Sequence, residues 1–326
     1  MSGLPTTLAL RAFAPEDCER LLSWIDSEDA MYQWSGARSF TWPLDQGQLR
    51  RDLAAAGPTE LMFAATDAAG EMVGHVRLEV NHRHRLGHIG RVAVAPRRRG
   101  RGLGTALMRE LARHAFGDLE LHRLQLGVYT FNTAAIACYR AVGFVVEGRA
   151  RDSTLGSGGY WDGLTMALLE PDFRCPPQYG DGIRLAGPRD TARIAELLSP
   201  LGYPQERDQA AERLRAWSVS PEGTVLVAEA DADVAGVVAV QRVLYFERPG
   251  AFARVVALSV DAEHRRAGVG RRLMEAVERW AVRHGCVAVE VTSLRAREEA
   301  QRFYAALGYE ERSEESARFR KAVPGA

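Results

Sequence analysis

An excess of charge of either sign is missing from this chain of 326 residues: 42 Lys and Arg stand against 42 Asp and Glu. Without a net field, nothing global draws nucleic acid or an anionic membrane, and neither is expected as a partner. A run of about 18 apolar residues is also missing. The opening stretch MSGLPTTLALRAFAPEDCERLL has no basic segment leading into an apolar one. Neither a membrane span nor a signal peptide is expected, and a cytoplasmic location is the default expectation. Cysteines are scarce. Cys18, Cys138, Cys175 and Cys286 form no CxxC pair, which argues against a zinc site and against a disulfide framework. Reduced thiols and no bound metal are expected.

What is present is the composition of a soluble globular protein, 46% hydrophobic and 26% charged, at about twice a common domain length of ~150 residues. The stretch EPDFRCPPQYGDG, 170 to 182, is rich in Pro and Gly and lacks apolar periodicity, so it marks a boundary. Domains at 1–172 and 182–326 are expected, joined by a linker at 173–181. The pattern restarts across it. LALRAF (8 to 13) precedes a helix expected from about Pro15, and GIRLAG (182 to 187) precedes one from about Pro188.

The restart extends to a glycine-rich loop in each half. VAVAPRRRGRGLGTALM (92 to 108) aligns with LSVDAEHRRAGVGRRLM (258 to 274), with Gly102 on Gly268 and Gly104 on Gly270. Downstream, Tyr139 aligns with Tyr304 and Gly143 with Gly308. Apolar alternation or runs in GHVRLEV (74 to 80) and GVVAVQRVL (236 to 244) predict strands before the loops. Helical spacing in TALMRELARHAF (105 to 116) and RRLMEAVERWAVRH (271 to 284) predicts helices after them. RLQLGVY (123 to 129) and VAVEVTSL (287 to 294) predict further strands, each followed by a helix that holds the tyrosine. Each half is therefore expected to be a mixed α/β unit, a twisted sheet flanked by helices.

A glycine turn between strand and helix gathers free N–H groups at the positive helix end, where a phosphate binds. The ligand is not a nucleoside triphosphate on a Walker loop, because GRGLGT and AGVGRR lack the GxxxxGK lysine. Nor is it a dinucleotide on a GxGxxG fingerprint, because the spacing of Gly100, Gly102 and Gly104 is GxGxG. The HRHR run at 82 to 85 has two histidines at strand spacing, but its setting beside Asn81 reads as a solvated hairpin rather than a metal site. PRRRGR (96 to 101) has no interleaved aromatic residues, unlike a nucleic-acid surface.

The recurring set, Arg99, Gly102 and Gly104 and again Arg265, Gly268 and Gly270, resembles the (Arg/Gln)xxGxGly pyrophosphate loop of the GCN5-related N-acetyltransferases (GNAT). NTAAIACYRAVGF (132 to 144) and REEAQRFYAALGY (297 to 309) resemble that family's NxxAxxxYxxxGF segment. EGRARDSTLGSGGYWDGLTMALL (147 to 169) resembles the closing hairpin of members that act on amino acids or protein N-termini. The likeness covers nearly the whole chain and implies two tandem acyl-CoA N-acyltransferase domains that bind acetyl-CoA. It implies an acceptor that is a small-molecule amine, an amino acid or a peptide N-terminus, and a monomer or homodimer.

By the same resemblance, Val92 and Val94, and Leu258 and Val260, lie on the strand that pairs with the pantetheine arm. Gly100, Arg101 and Thr105 of one loop and Arg266 and Arg271 of the other join the phosphate site, and Asn132 contacts pantetheine. Tyr139, with Tyr304 in the second copy, is the acid that protonates the leaving thiolate. A primary amine of pKa about 10.4 is only about 0.04% neutral at pH 7, worth about 4.6 kcal/mol, so a proton acceptor is required. His88 and Glu79 are the candidates. Cys138, next to Tyr139, offers a covalent route, but adjacent helical residues point about 100° apart, which favours direct transfer. Arg297 replaces Asn132 in the second half, so the first domain is the surer catalyst. The alternative is that one or both halves are regulatory modules that bind acetyl-CoA without turnover.

Overall fold

A computed structural model describes residues 8–37, 39–174, 179–180, 182–201, 206–231, 233–293 and 297–312. The first half runs β1 (Ala9–Ala12), α1 (Asp17–Leu22), α2 (Glu28–Ser35), α3 (Gln46–Ala55), β2 (Glu60–Thr66), β3 (Met72–Asn81), β4 (Leu86–Val94), α4 (Leu103–Gly117), β5 (Arg123–Tyr129), α5 (Thr133–Val142), β6 (Val145–Gly156), β7 (Gly159–Leu169) and the short α6 (Glu170–Arg174). The second runs β8 (Ile183–Leu185), α7 (Thr191–Leu198), α8 (Arg207–Ser218), β9 (Gly223–Ala230), β10 (Asp233–Leu244), β11 (Ala251–Val260), α9 (Val269–Arg283), β12 (Cys286–Val291) and α10 (Glu298–Ala306).

Two separate mixed sheets result, in the orders β1-β2-β3-β4-β5-β7-β6 and β12-β11-β10-β9-β8. Among the described residues each is antiparallel except for one parallel pair, β4 with β5 and β11 with β12. Such a pair needs a crossover, and in both halves the crossover is the loop and helix that follow the glycines. The hairpin expected at 147 to 169 is present as β6 and β7. Its counterpart, 308 to 323, lies largely outside the described residues. The linker expected at 173–181 begins inside α6, while 175–178 and 181 lie outside the described residues.

Each sheet is covered on both faces because its strands alternate. Val76, Leu78 and Val80 of β3 face α4 and α5, where they join Leu107, Met108, Leu111 and Ile136 in one core. The opposite face packs Met62, Ala64 and Met72 against Leu21, Met31, Trp34 and Leu49 of α1 to α3. In the second domain α9 supplies Leu273, Met274, Val277 and Trp280 to one face, and α7 supplies Ile194 and Leu197 to the other. Helix α4 is held close because Gly74 of β3 lies beneath it: a Cβ there would stand 2.5 Å from a Leu107 methyl. Gly236 of β10 does the same under α9, where a Cβ would stand 3.0 Å from both Leu273 and Val269. At this spacing side chains interlock at crystal-like density.

Candidate active site

The site begins as a gap between two strands. β4 and β5 pair from Leu86 with Arg123 to Ile89 with Leu126 and then part. The cause is a β-bulge. Against β3, His75 pairs with Ala93 but Arg77 pairs with Gly90, so β4 carries one extra residue, which bends the strand away from its neighbour. Arg91 sits in the bulge with φ 54°. It is pinned there: Trp34 Nε1 donates to the Arg91 carbonyl at 2.9 Å, and the guanidinium pairs with Asp52 and lies 4.8 Å from the centre of the Phe40 ring.

The second sheet repeats the arrangement. β11 and β12 pair from Ala251 with Cys286 to Val255 with Val291 and then part. Ala239 pairs with Ala257 and Val240 with Val255, which leaves Val256 as the extra residue. Past each bulge, backbone N–H and C=O groups of β4 or β11 have no strand partner on the gap side among the described residues.

Beyond the gap lie the glycine loops. Gly100 and Gly102 have φ of 77° and 78°, and a Cβ at either would meet nothing within 4 Å. Gly102 is the N-cap of α4 and has no side chain to satisfy the first turn, so the N–H groups of that turn are available to an anion. In the second loop Gly268 caps α9 with φ 78°, and Arg266 takes the place of Gly100 with φ 63°. Its retention of a left-handed conformation that costs a non-glycine residue free energy shows how closely the two loops match. Gly104 lies where α4 meets α5: a Cβ there would stand 3.3 Å from Cys138 Sγ and 3.8 Å from Val94. Gly270 repeats this against Phe303 and Val260, at 3.1 Å and 3.7 Å. An open cradle at a helix start fits a diphosphate.

In the first domain these parts line one cleft of 1440 Å³: Val92, Val94, Arg99, Gly100, Gly102, Gly104, Thr105, Asn132 and Tyr139 all contribute. Arg99 Nε donates to the Val94 carbonyl at 3.1 Å, and Arg98 is held by Asp67 and Glu71 at 3.0 and 2.8 Å. Asn132 Oδ1 accepts from Ala135 N at 3.2 Å and caps α5. Tyr139 is buried, and burial raises its phenol above the usual tyrosine range, so it stays protonated. Burial also pushes the Cys138 thiol up to about 11, which leaves little thiolate for nucleophilic attack.

Three expected residues stand apart from the cleft. Arg101 is exposed outside it. Glu79 and His88 pair with each other across β3 and β4, both exposed and neither lining the cleft. His82 and His84 are exposed in the β3–β4 turn, and among the described residues no group of His, Cys, Asp or Glu is arranged to hold a metal. In the second domain Leu258 and Val260 pack on the α9 core, and Arg265 and Arg271 are exposed. Tyr304 is half-buried, and burial raises its phenol. Arg297 starts α10 without capping it and instead donates to the Leu201 carbonyl at 2.8 Å.

Sequence reading did not anticipate the bulge residues Arg91 and Val256, or Trp34. Nor did it anticipate Asp26, on the α1–α2 connection, or the second-domain residues that line the cleft. An isolated Arg or Trp carries no motif.

The two strand gaps, each followed by its glycine cradle, coincide with two matches to the Acetyltransferase (GNAT) family model, over residues 22–144 and 191–309. The chain belongs to that family. Among curated GNAT relatives, the L-amino acid N-acetyltransferase AaaT of Escherichia coli is 35% identical over 31% of this chain and 64% of its own length. Spermidine N(1)-acetyltransferase of Vibrio cholerae is 30% identical over 35% and 66%. Mycothiol acetyltransferase of Paenarthrobacter aurescens is 32% identical over 44% of each chain. The match thus covers less than two thirds of each of these relatives.

Proposed function

We propose that this GNAT chain transfers the acetyl group of acetyl-CoA directly to a primary amine, with the first domain as the surer catalyst. The observation that carries the reading is the convergence of the β4–β5 gap, the Gly100–Gly104 cradle and Tyr139 on one cleft. The cradle and α4 hold the diphosphate, and the free edge of β4 near Val92 and Val94 hydrogen-bonds the pantetheine arm. A backbone N–H of that edge stabilises the oxyanion of the tetrahedral intermediate. As that intermediate collapses, the C–S bond breaks and Tyr139 gives its proton to the sulfur.

Asp26 is the first-domain carboxylate among the described residues of the cleft. In this reading it attracts the ammonium form of the acceptor, and the amine passes its proton to Asp26 or to water. The position of Glu79 and His88 outside the cleft gives no support to either as the base. The relatives that act on L-amino acids and spermidine favour a small amine over a peptide N-terminus as acceptor.

The second domain, taken as 182–326 after a 1–172 domain and a 173–181 linker, keeps its gap, cradle and Tyr304. A coenzyme-binding module without turnover is favoured there by Arg297, which is tied to Leu201 where Asn132 caps its helix in the first copy.

Calorimetric titration of acetyl-CoA tests the reading. Two sites are expected, one lost in Gly102→Glu and the other in Gly268→Glu, because each puts a carboxylate into a phosphate cradle. Binding unchanged in both variants would overturn it. Thiol release with amino acids, polyamines, aminoglycosides and N-terminal peptides then identifies the acceptor.

A further inference from the structure

The cleft of the first domain is not closed by that domain alone. Part of its wall is Arg184 to Arg189, on and after β8, together with α8 residues that include Arg215. The two halves meet through α5, the helix that carries Tyr139: Arg140 donates to the Ser220 carbonyl at 2.7 Å, just past the end of α8.

The charge of the wall is one-sided. Among the described residues its ionised side chains are eight arginines against Asp26 and Glu212. Three of those arginines are neutralised within their own domain: Arg91 by Asp52, Arg98 by Asp67 and Glu71, and Arg184 by Asp190 and Glu229. Arg99, Arg109 and Arg140 bond to backbone carbonyls and pair with no carboxylate among the described residues. Arg189 is 73% exposed and shares Asp190 and Glu229 with Arg184 through longer ion pairs of 3.8 and 3.6 Å. Arg215 is exposed. Such a surplus in a cleft calls for a polyanion. Coenzyme A carries one at its nucleotide end, where a diphosphate and a 3′-phosphate together bear about four negative charges at pH 7.

We propose that the second domain completes the coenzyme site of the first: Arg189 and Arg215 bind the phosphorylated nucleotide end, while the first domain alone holds the pantetheine arm. This rests on the reading of the Gly100–Gly104 loop as a coenzyme cradle. The two domains then work as one binding unit, and coenzyme in the first cleft bridges them.

The test is calorimetry on the full chain carrying Gly268→Glu, so that only the first site titrates, with coenzyme A, 3′-dephospho-coenzyme A and pantetheine as probes. Arg189→Ala and Arg215→Ala are each expected to weaken coenzyme A roughly tenfold. Their combination should weaken it roughly a hundredfold and leave pantetheine unchanged. Arg189→Lys with Arg215→Lys should retain most of the affinity. An unaltered Kd for coenzyme A in the double alanine variant would overturn the proposal, as would an equal loss for pantetheine. A parent chain that takes up no coenzyme would instead overturn the underlying reading of the loop.

Discussion

The indole of Trp34 donates a hydrogen bond to the carbonyl of Arg91 at 2.9 Å, and so fixes from outside the sheet the bulge that parts β4 from β5. Trp34→Phe keeps the ring stacked on Phe40 but leaves a buried carbonyl without its donor. A stability loss of about 1–3 kcal/mol is expected, read as a lower midpoint in denaturant. A raised KM for acetyl-CoA should accompany it. A KM that does not move would separate the bulge from coenzyme binding.

Gly104 gives the matching constraint on the other side of the gap, since a Cβ there would stand 3.3 Å from Cys138 Sγ. Gly104→Ala should push α4 off α5 and weaken acetyl-CoA severalfold, and Cys138→Ala in the same chain should restore much of the loss. Cys138→Ala alone should retain turnover, and iodoacetamide should label Cys138 slowly at neutral pH, because its thiol lies near 11.

Removing the hydroxyl in Tyr139→Phe should lower kcat by about 10²-fold or more with little effect on the KM for acetyl-CoA. Burial raises the phenol, so its proton is lost only above the usual tyrosine range of about 10. The rate should therefore rise with pH as the acceptor loses its proton and show no alkaline fall below about pH 10. A fall near pH 8 in wild type that is absent in Tyr139→Phe would contradict the assignment. Tyr304→Phe, measured beside it, reports whether the second domain turns over.

Asp26→Asn should raise the KM of a cationic acceptor and leave that of acetyl-CoA alone, and added salt should narrow the difference. Initial rates with each substrate varied in turn make the comparison.

His75 is buried between Phe13 and Trp34, their ring centres 4.6 and 5.9 Å away. Burial, reinforced by Arg91, pushes it down to about 3. The folded state thus resists a proton that the unfolded chain accepts near 6.5. Stability is full above pH 6.5 and declines as pH falls from there toward 3, by at most about 1.4 kcal/mol per unit. His75→Gln should flatten that slope between pH 6.5 and 4 in thermal melts.

Much of this was readable from residue order. Helices α4 and α9 and strand β5 follow from local periodicity, and the paired loops and tyrosines follow from a repeat that needs no third dimension. Glu79 and His88 show where such reading ends. Their side chains are of the right kind and near the right strand, yet cross-strand pairing puts them together outside the cleft, because position along a strand does not fix which residues converge across a sheet. The bulges were equally hidden, since one extra residue is visible only against a partner strand. The sequence by itself determined two glycine cradles, their helices and a tyrosine behind each, because backbone freedom at glycine and apolar periodicity are local properties. Only the tertiary structure decided that Trp34 opens the gap by gripping Arg91, and that the first cleft draws part of its wall from the second domain. Both depend on contacts between segments distant in the chain, set by packing rather than by any pattern within a segment.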